Sequence, residues 1–134
     1  MCSSDLFIDL DGFKEINDRF GHVAGDLLLI DIANRVKDFL RKSDTFARLG
    51  GDEFVLMLSE LESRASAETL IKSLLSLIEK ELSYESNNIG VSASIGLVFY
   101  EAEALMDVNT LLHKADVAMY RAKESGKNAY YVLD

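Results

Sequence analysis

The chain has 134 residues, with 49% hydrophobic and 28% charged side chains, which is typical of one soluble globular domain. A net charge of −9 excludes a surface that broadly attracts nucleic acid or acidic lipid, so any bound phosphate needs local donors or metal ions. No apolar run reaches the ~18 residues of a membrane span, and the single cysteine, Cys2, excludes an internal disulfide and agrees with a cytoplasmic setting.

Apolar periodicity predicts strands and helices that alternate along the chain, with one hairpin among them. The predicted strands cover 5–11, 45–49, 53–58, 89–100 and 129–133, and the predicted helices cover 11–20, 25–44, 63–81 and 107–125. This alternation is typical of an α/β fold or α+β sandwich, so we expect a central mixed sheet of about five strands flanked by helices. Residues 1–134 are expected to form a single domain.

Local signals mark the ends of the predicted helices. Asp11 is expected to cap the first helix, which Gly21 ends, and Gly126 stops the last helix. The long second helix is expected to bury one stripe of side chains, formed by Leu28, Ile32, Val36 and Leu40.

The stretch ARLGGDEFVLML places two acids, Asp52 and Glu53, at the tip of the predicted hairpin. The strand after the turn is apolar on both faces, which predicts a hairpin in the core of the sheet. The first strand also ends in acids, and if it lies beside the hairpin, Asp9 converges with the other two carboxylates. Unit charges ~4 Å apart repel by about 4 kcal/mol near a protein surface, so a proton or a cation such as Mg²⁺ is needed. Alternatively, Gly50 and Gly51 form an ordinary turn with positive φ and the acids are solvated.

The segment DLDGFKEIND runs directly from a strand into a helix. The backbone amides of Gly12, Phe13 and Lys14 are therefore free to bind an anion, and Gly12 leaves room for close approach. Metal-binding acids beside such a helix start are typical of a nucleoside-triphosphate site. The alternative for Lys14 is an exposed lysine in the first helical turn, where the helix dipole disfavours it.

Three blocks of the sequence, FIDLDGFKEINDRFGHVAGD, RKSDTFARLGGDEF and ADVAMYRAKESGKN, resemble the GGDEF family of diguanylate cyclase domains in order and spacing. The resemblance covers nearly the whole chain and implies a nucleotidyl-cyclase or palm-like fold. It implies an enzyme that joins two GTP molecules into cyclic di-GMP and releases two pyrophosphates. Because each site holds one GTP, the reaction implies a homodimer.

The resemblance also implies roles for individual residues at the strand end and the turn. Asp9, the backbone carbonyl of Leu10 and Asp52, assisted by Glu53, are implied to hold two Mg²⁺ or Mn²⁺ ions per active site. These ions would neutralise the triphosphate and activate the attacking 3′-hydroxyl. Asp52 is the candidate acceptor of the hydroxyl proton.

Substrate contacts follow from the same resemblance. The implied contacts to the nucleotide are Gly12, Phe13, Lys14, Asn17, His22, Asp26, Leu29, Gly50, Gly51, Lys123 and Lys127. Among these, the three lysines contact the phosphates and Asn17 and Asp26 bind the guanine edge. Alternatives exist: Asp26 as the N-cap of the long helix, His22 as a surface histidine, and Lys123 and Lys127 as lysines favoured by a helix C-terminus. Where the family most often has arginine, Lys127 lacks the bidentate fork.

The segment RKSD, Arg41 to Asp44, matches the offset of the family's RxxD product site. The resemblance implies that Arg41 stacks on guanine or binds phosphate, that Asp44 accepts from the base, and that product inhibits the enzyme. Taken alone, the pair is a charged helix end, and an exposed ion pair contributes about 0–1 kcal/mol.

Family domains begin with an LTGLxNR-like turn and a helix, whereas only Met1 to Ser4 precede Asp5 here. We therefore expect a domain truncated at its N-terminus and a regulatory domain in a longer parent protein. Two other functions stay open: a module that senses GTP or cyclic di-GMP without catalysis, and a general nucleotidyl cyclase or polymerase-like palm. Asn17 and Asp26 argue against the latter.

Overall fold

The computed structural model describes residues 2–101 and 107–133. The strands in these residues are β1 (Cys2–Asp11), β2 (Thr45–Gly50), β3 (Glu53–Leu61), β4 (Leu82–Tyr84), β5 (Asn87–Ile89), β6 (Ser92–Glu101) and β7 (Ala129–Val132). The helices are α1 (Phe13–Phe20), α2 (His22–Phe39), α3 (Arg64–Ile78) and α4 (Val108–Glu124). No helix in these ranges combines the length and the apolar character that crossing a membrane requires.

Five strands form one sheet in the order β2-β3-β1-β6-β7. The β6–β7 pair is parallel and the other pairs are antiparallel, which confirms the predicted mixed sheet. The prediction of a hairpin wholly in the core is wrong for β2, which is the edge strand and mostly exposed, whereas β3 is interior. The separate β4–β5 hairpin was not predicted, because three-residue strands are too short to show a period of two.

Helices cover both faces of this sheet. On one face, Leu6, Ile8 and Leu10 of β1 join the larger core cluster, which the predicted stripe of α2 completes at Leu28, Ile32 and Val36. On the other face, Phe7 and Val55 pack with buried side chains of α4. Helix α4 approaches β6 closely at Gly96, where an added Cβ would overlap backbone atoms of Ala115 and Met119.

Two predicted helix starts are wrong. Asp11 does not cap α1: it ends β1 with its side chain buried, and Gly12, at φ 81°, precedes the helix without any side-chain cap. Helix α2 begins at His22 rather than at 25, because Gly21 at φ 95° makes the break. Asp26 therefore lies within α2, so the alternative of an N-cap at this position is wrong. The C-terminal boundary also differs, since α2 ends at Phe39.

Candidate active site

The C-terminal end of β1 and the β2–β3 turn meet at the same end of the sheet, and this rim of strand ends is called the acidic edge below. Asp9 pairs with Glu53 across the β1–β3 ladder, and the Leu10 N–H donates to the Asp52 carbonyl at 3.1 Å. In an antiparallel ladder a residue directs its N–H and C=O toward the same neighbour, so the Leu10 carbonyl also faces the turn. The structure thus brings together the four residues implied to hold metal ions.

Lys123 of α4 supplies a positive charge to this acidic edge. Its Nζ lies 2.8 Å from Asp9 Oδ2 and 3.9 Å from Asp11 Oδ1. Burial raises the pKa of Asp9, and the charges of Asp52 and Glu53 add to this, although the Lys123 hydrogen bond opposes it. Burial opposes the charged form of Lys123, but its bonds and charges with the acids outweigh burial and raise the pKa of the ammonium. An ammonium is therefore a neutralising group that the sequence did not predict.

Asp9 has a second oxygen that fits a divalent cation. Its Oδ1 is buried and has no hydrogen-bond partner within the described ranges. Carboxylate and carbonyl oxygens are the ligands of Mg²⁺ and Mn²⁺, so Asp9, Asp52 and the Leu10 carbonyl fit such an ion. The predicted convergence of three carboxylates is only partial: residues 2–101 and 107–133 contain no group of three acidic, histidine or cysteine side chains arranged around one metal position.

The turn that carries Asp52 has the backbone expected of a glycine pair. Gly50 and Gly51 have φ of 152° and 51°, in the range that favours glycine. Arg48 Nε donates to the Gly51 carbonyl at 2.9 Å and so fixes the turn. Sequence reasoning missed Arg48, although its place two residues before the glycine pair was visible.

A buried carboxylate that was not among the predicted site residues lies beside Asp9. Asp11 Oδ2 accepts from Ser92 Oγ at 2.8 Å and from the Asn128 N–H at 3.0 Å, and Oδ1 accepts from Ser94 Oγ at 2.7 Å. The available signal was its spacing, because residues 9 and 11 of a strand point to the same face.

Helices α1 and α2 bring together the residues implied to bind guanine. Asn17 Oδ1 is buried without a hydrogen-bond partner among the described residues, and a Cβ at Gly25 would overlap it. Gly25, which sequence reasoning missed, therefore permits the close approach of the two helices. His22, Asp26 and Leu29 follow one face of α2 at spacings of four and three residues. The first two are exposed, and Leu29 is buried.

The three lysines implied to contact phosphate occupy different settings. Lys14 is exposed in the first turn of α1, behind the exposed Gly12, while the Phe13 side chain is buried in the core. Lys123 is held by the acids described above. Lys127 is exposed beyond the end of α4, at φ 67°, and Asn128 follows at φ 45°. The structure thus places Lys123 and Lys127 at the C-terminal end of α4.

Arg41 and Asp44 lie in the turn between α2 and β2 and bind each other. The Arg41 side chain donates to Asp44 at 2.9 Å and 3.3 Å, the Arg41 N–H donates to Asp44 Oδ2 at 2.9 Å, and Nη2 also donates to the Ser59 carbonyl at 2.8 Å. The hydrogen bond to Asp44 is the main reason that the pKa of Arg41 is raised. The Asp44 side chain is 0% exposed, whereas that of Arg41 is 44% exposed. Of this pair, the Arg41 side chain is accessible to a ligand in this conformation and the Asp44 side chain is not.

A mixed five-stranded sheet flanked by helices is the fold of GGDEF domains. The family model for the diguanylate cyclase GGDEF domain matches residues 2–129, and the chain belongs to this family.

Relatives extend the comparison. The chain is 46% identical over 125 residues to the bifunctional diguanylate cyclase/cyclic di-GMP phosphodiesterase MucR of Pseudomonas aeruginosa, covering 93% of this chain and 18% of the relative. The crystal structure of the GGDEF domain of TpbB from the same species has a TM-score of 0.91 at 40% identity and covers 99% of this chain and 83% of that one. A microbial GGDEF domain solved with cyclic di-GMP has a TM-score of 0.82 at 32% identity, covering 98% of this chain and 79% of that one. The chain thus spans less than a third of the length of the full-length relatives MucR and TpbB.

Proposed function

We propose that this domain is an active diguanylate cyclase that condenses two GTP molecules into cyclic di-GMP. The observation that carries the proposal is the junction of Asp9 and the Asp52 turn, joined by the Leu10–Asp52 hydrogen bond, with an unpartnered oxygen of Asp9 at that junction. Degenerate domains usually lose the acids of the signature, whereas Asp9, Asp52 and Glu53 are all present here.

Divalent ions, two Mg²⁺ or Mn²⁺ in this proposal, neutralise the triphosphate and activate the 3′-hydroxyl when bound. Asp9, the Leu10 carbonyl and Asp52 would hold them, with assistance from Glu53. Asp52 accepts the proton of the hydroxyl that attacks the α-phosphate of the other nucleotide. Each attack forms one phosphodiester bond and releases one pyrophosphate, so two attacks close the ring.

The chain's own donors bind and orient the nucleotide. The Gly12–Lys14 amides and the lysines at 14, 123 and 127 contact the phosphates. The turn glycines, Gly50 and Gly51, allow the phosphates to approach the backbone closely. Asp26 accepts from N1–H and N2–H₂ of guanine, a donor pair that adenine lacks, and Asn17 reaches the same base edge. His22 lies close to the base and Leu29 packs beneath it.

Two further features belong to the proposal. Two copies face each other during turnover, because each site holds one GTP. Cyclic di-GMP inhibits the enzyme through Arg41 and Asp44, and because the Asp44 carboxylate is enclosed by Arg41, product must displace the guanidinium before the carboxylate can accept from guanine. A regulatory domain in the parent protein would set the activity.

A second candidate function is a sensor that binds GTP or cyclic di-GMP without turnover. One observation favours it: Lys123 already forms an ion pair with Asp9, which must open before Asp9 can bind a metal ion through both oxygens.

The decisive experiment incubates the purified 134-residue chain with GTP and Mg²⁺ and measures cyclic di-GMP by chromatography. We expect product from the wild type and none from Asp52→Ala. Asp38→Asn, which removes an exposed acid near the end of α2, serves as the control and keeps its activity. Nucleotide binding without product would replace the cyclase proposal with the sensor, and a folded protein that binds no GTP would remove both.

A further inference from the structure

The Asp11 carboxylate connects three elements around the proposed phosphate site. Each of its oxygens faces one donor from strand β6 and one from α4 or the turn that follows α4. Oδ2 accepts from Ser92 Oγ and from the Asn128 N–H, and Oδ1 accepts from Ser94 Oγ and lies 3.9 Å from Lys123 Nζ. The residue is 7% exposed, so these donors replace water as its partners.

The segment that Asp11 holds has an unusual backbone. Gly126, Lys127 and Asn128 have φ of 124°, 67° and 45° in succession. Such values are uncommon for residues other than glycine; asparagine adopts them fairly readily, whereas for lysine they carry a cost that surrounding contacts have to offset. The N–H groups of Gly126 and Lys127 bond back to carbonyls of α4, while the Asn128 N–H leaves the helix and donates to Asp11.

We infer that Asp11 is a positioning residue that aims Lys123 and Lys127 at the triphosphate. The inference rests on the proposed function, in which these lysines contact the phosphates. Asp11 itself does not touch the substrate in this scheme. It attracts the Lys123 ammonium from one side, and through Asn128 it fixes the turn that presents Lys127.

A merely structural role for Asp11 makes a different prediction. A buried acid that only holds the fold together would, once removed, weaken every ligand contact alike. A residue that aims two phosphate-binding lysines affects the triphosphate and leaves guanine recognition by Asn17 and Asp26 unchanged. The comparison of GTP with GMP therefore separates the two roles.

The test measures binding of GTP and of GMP by calorimetry, with Ca²⁺ in place of Mg²⁺ to slow turnover. Asp11→Asn keeps the shape of the side chain but removes its charge, and we expect about tenfold weaker GTP binding with less than about twofold change for GMP. Lys123→Ala should show the same selectivity. The double variant should lose less than the product of the two single losses, because both changes act on one interaction.

Asp5→Asn is the matched control. Asp5 is another buried acid on the same face of β1, 2% exposed, and its carboxylate accepts from the Tyr100 hydroxyl at 3.2 Å. Neutralising it should leave both affinities unchanged. If Asp11→Asn does not fold, as judged by circular dichroism, Ser94→Ala provides the test, because it removes one donor to Asp11 and should weaken GTP binding about threefold without affecting GMP.

Equal losses for GTP and GMP in the folded Asp11→Asn or Ser94→Ala variant would overturn the inference. So would an unchanged GTP affinity in Asp11→Asn beside a loss in Lys123→Ala. Failure of the proposed function gives another pattern, in which the wild type does not bind GTP or Lys123→Ala binds it normally, and the inference then fails with it.

Discussion

Two acids of β1, Asp5 and Asp9, have different partners. Both are on the α4 side of the sheet, and burial raises the pKa of each. Asp9 has an ammonium partner and acidic neighbours at the sheet edge, whereas Asp5 has the neutral hydroxyl of Tyr100 as its hydrogen-bond partner. The charge of Asp9 is therefore paired with an ammonium at the candidate active site, whereas the charge of Asp5 is buried without a cationic partner in the interactions described and disfavours the folded state.

Asp5→Asn should therefore stabilise the domain at neutral pH. Burial raises the pKa of Asp5 above 3.8, so the folded state holds its proton more tightly than the unfolded chain does. The stability that this proton contributes is complete below the unfolded pKa and is lost as the pH rises through the folded pKa. The variant lacks this loss, and the Tyr100 hydroxyl can still donate to an amide oxygen.

Thermal unfolding, followed by circular dichroism between about pH 4 and pH 8, measures the effect of Asp5→Asn on stability. The melting temperature of Asp5→Asn should exceed that of the wild type at pH 7, and the difference should shrink toward pH 4. Asp38→Asn, at an exposed position, is the control and should show no such trend. A variant that is less stable at pH 7, with a difference independent of pH, contradicts the argument.

Arg41→Ala should relieve product inhibition and leave the initial rate intact, because Arg41 lies in the turn between α2 and β2 and is not among the residues proposed to bind GTP or metal ions. Lys42→Ala, an exposed cation in the same turn, is the control. The measurement is the initial rate of cyclic di-GMP formation with and without added product. Inhibition that persists in Arg41→Ala refutes the RxxD proposal.

At the scale of elements, the order along the chain of the four helices and of the five strands of the main sheet could be predicted, because it depends on apolar periodicity within single segments. The starts of α1 and α2 could not, because they depend on glycine conformations: Gly12 and Gly21 have positive φ, and Gly25 stays helical beneath Asn17. The position of β2 at the outside of the sheet could not be predicted either, since it depends on strand order and not on the composition of the strand.

The packing of α4 on β6 gives a prediction about stability. Gly96→Ala places a methyl group where the backbone of Ala115 and Met119 lies, and helix backbone cannot move aside as a flexible side chain can. Overpacking of this kind costs about 1–3 kcal/mol in free energy of unfolding. Urea denaturation measures the cost.

Gly90→Ala is the matched control for this change. Its added Cβ would lie 3.2 Å from Glu81 Cγ, an atom of a flexible side chain, so it should cost less than Gly96→Ala. Similar losses in the two variants would mean that the loss of glycine itself, and not the overlap with α4, sets the cost.

At the scale of the whole molecule, the meeting of β1 with the hairpin could be expected from the acids at the two segment ends. The residues that pair with the acids at this end of the sheet could not be predicted. Lys123 and Asn128 lie more than a hundred residues from Asp9 and Asp11 along the chain, and the parallel β6–β7 pairing positions the segment that follows α4. Local sequence patterns carry no information about such long-range pairs.

The proposed reaction also requires two copies of the molecule, which gives a prediction about concentration. The domain has a net charge of −9, so two copies repel each other, and we expect the facing pair to be short-lived. When the pair is mostly dissociated, its concentration follows the square of the protein concentration, so tenfold dilution should lower the rate per domain about tenfold. Added salt should raise the rate per domain at each protein concentration, because it screens the repulsion and favours the pair.

Mixing the wild type with Asp52→Ala tests the same pairing from another side. A mixed pair has one competent site, so it can form one phosphodiester bond and releases a linear dinucleotide with one pyrophosphate. An excess of the variant over the wild type should therefore lower cyclic di-GMP and raise the linear product, both measured by chromatography. An Asp38→Asn partner should leave the product ratio unchanged, since its acid is exposed near the end of α2. A rate per domain that is independent of dilution, together with no linear product in the mixture, would mean that one domain closes the ring alone.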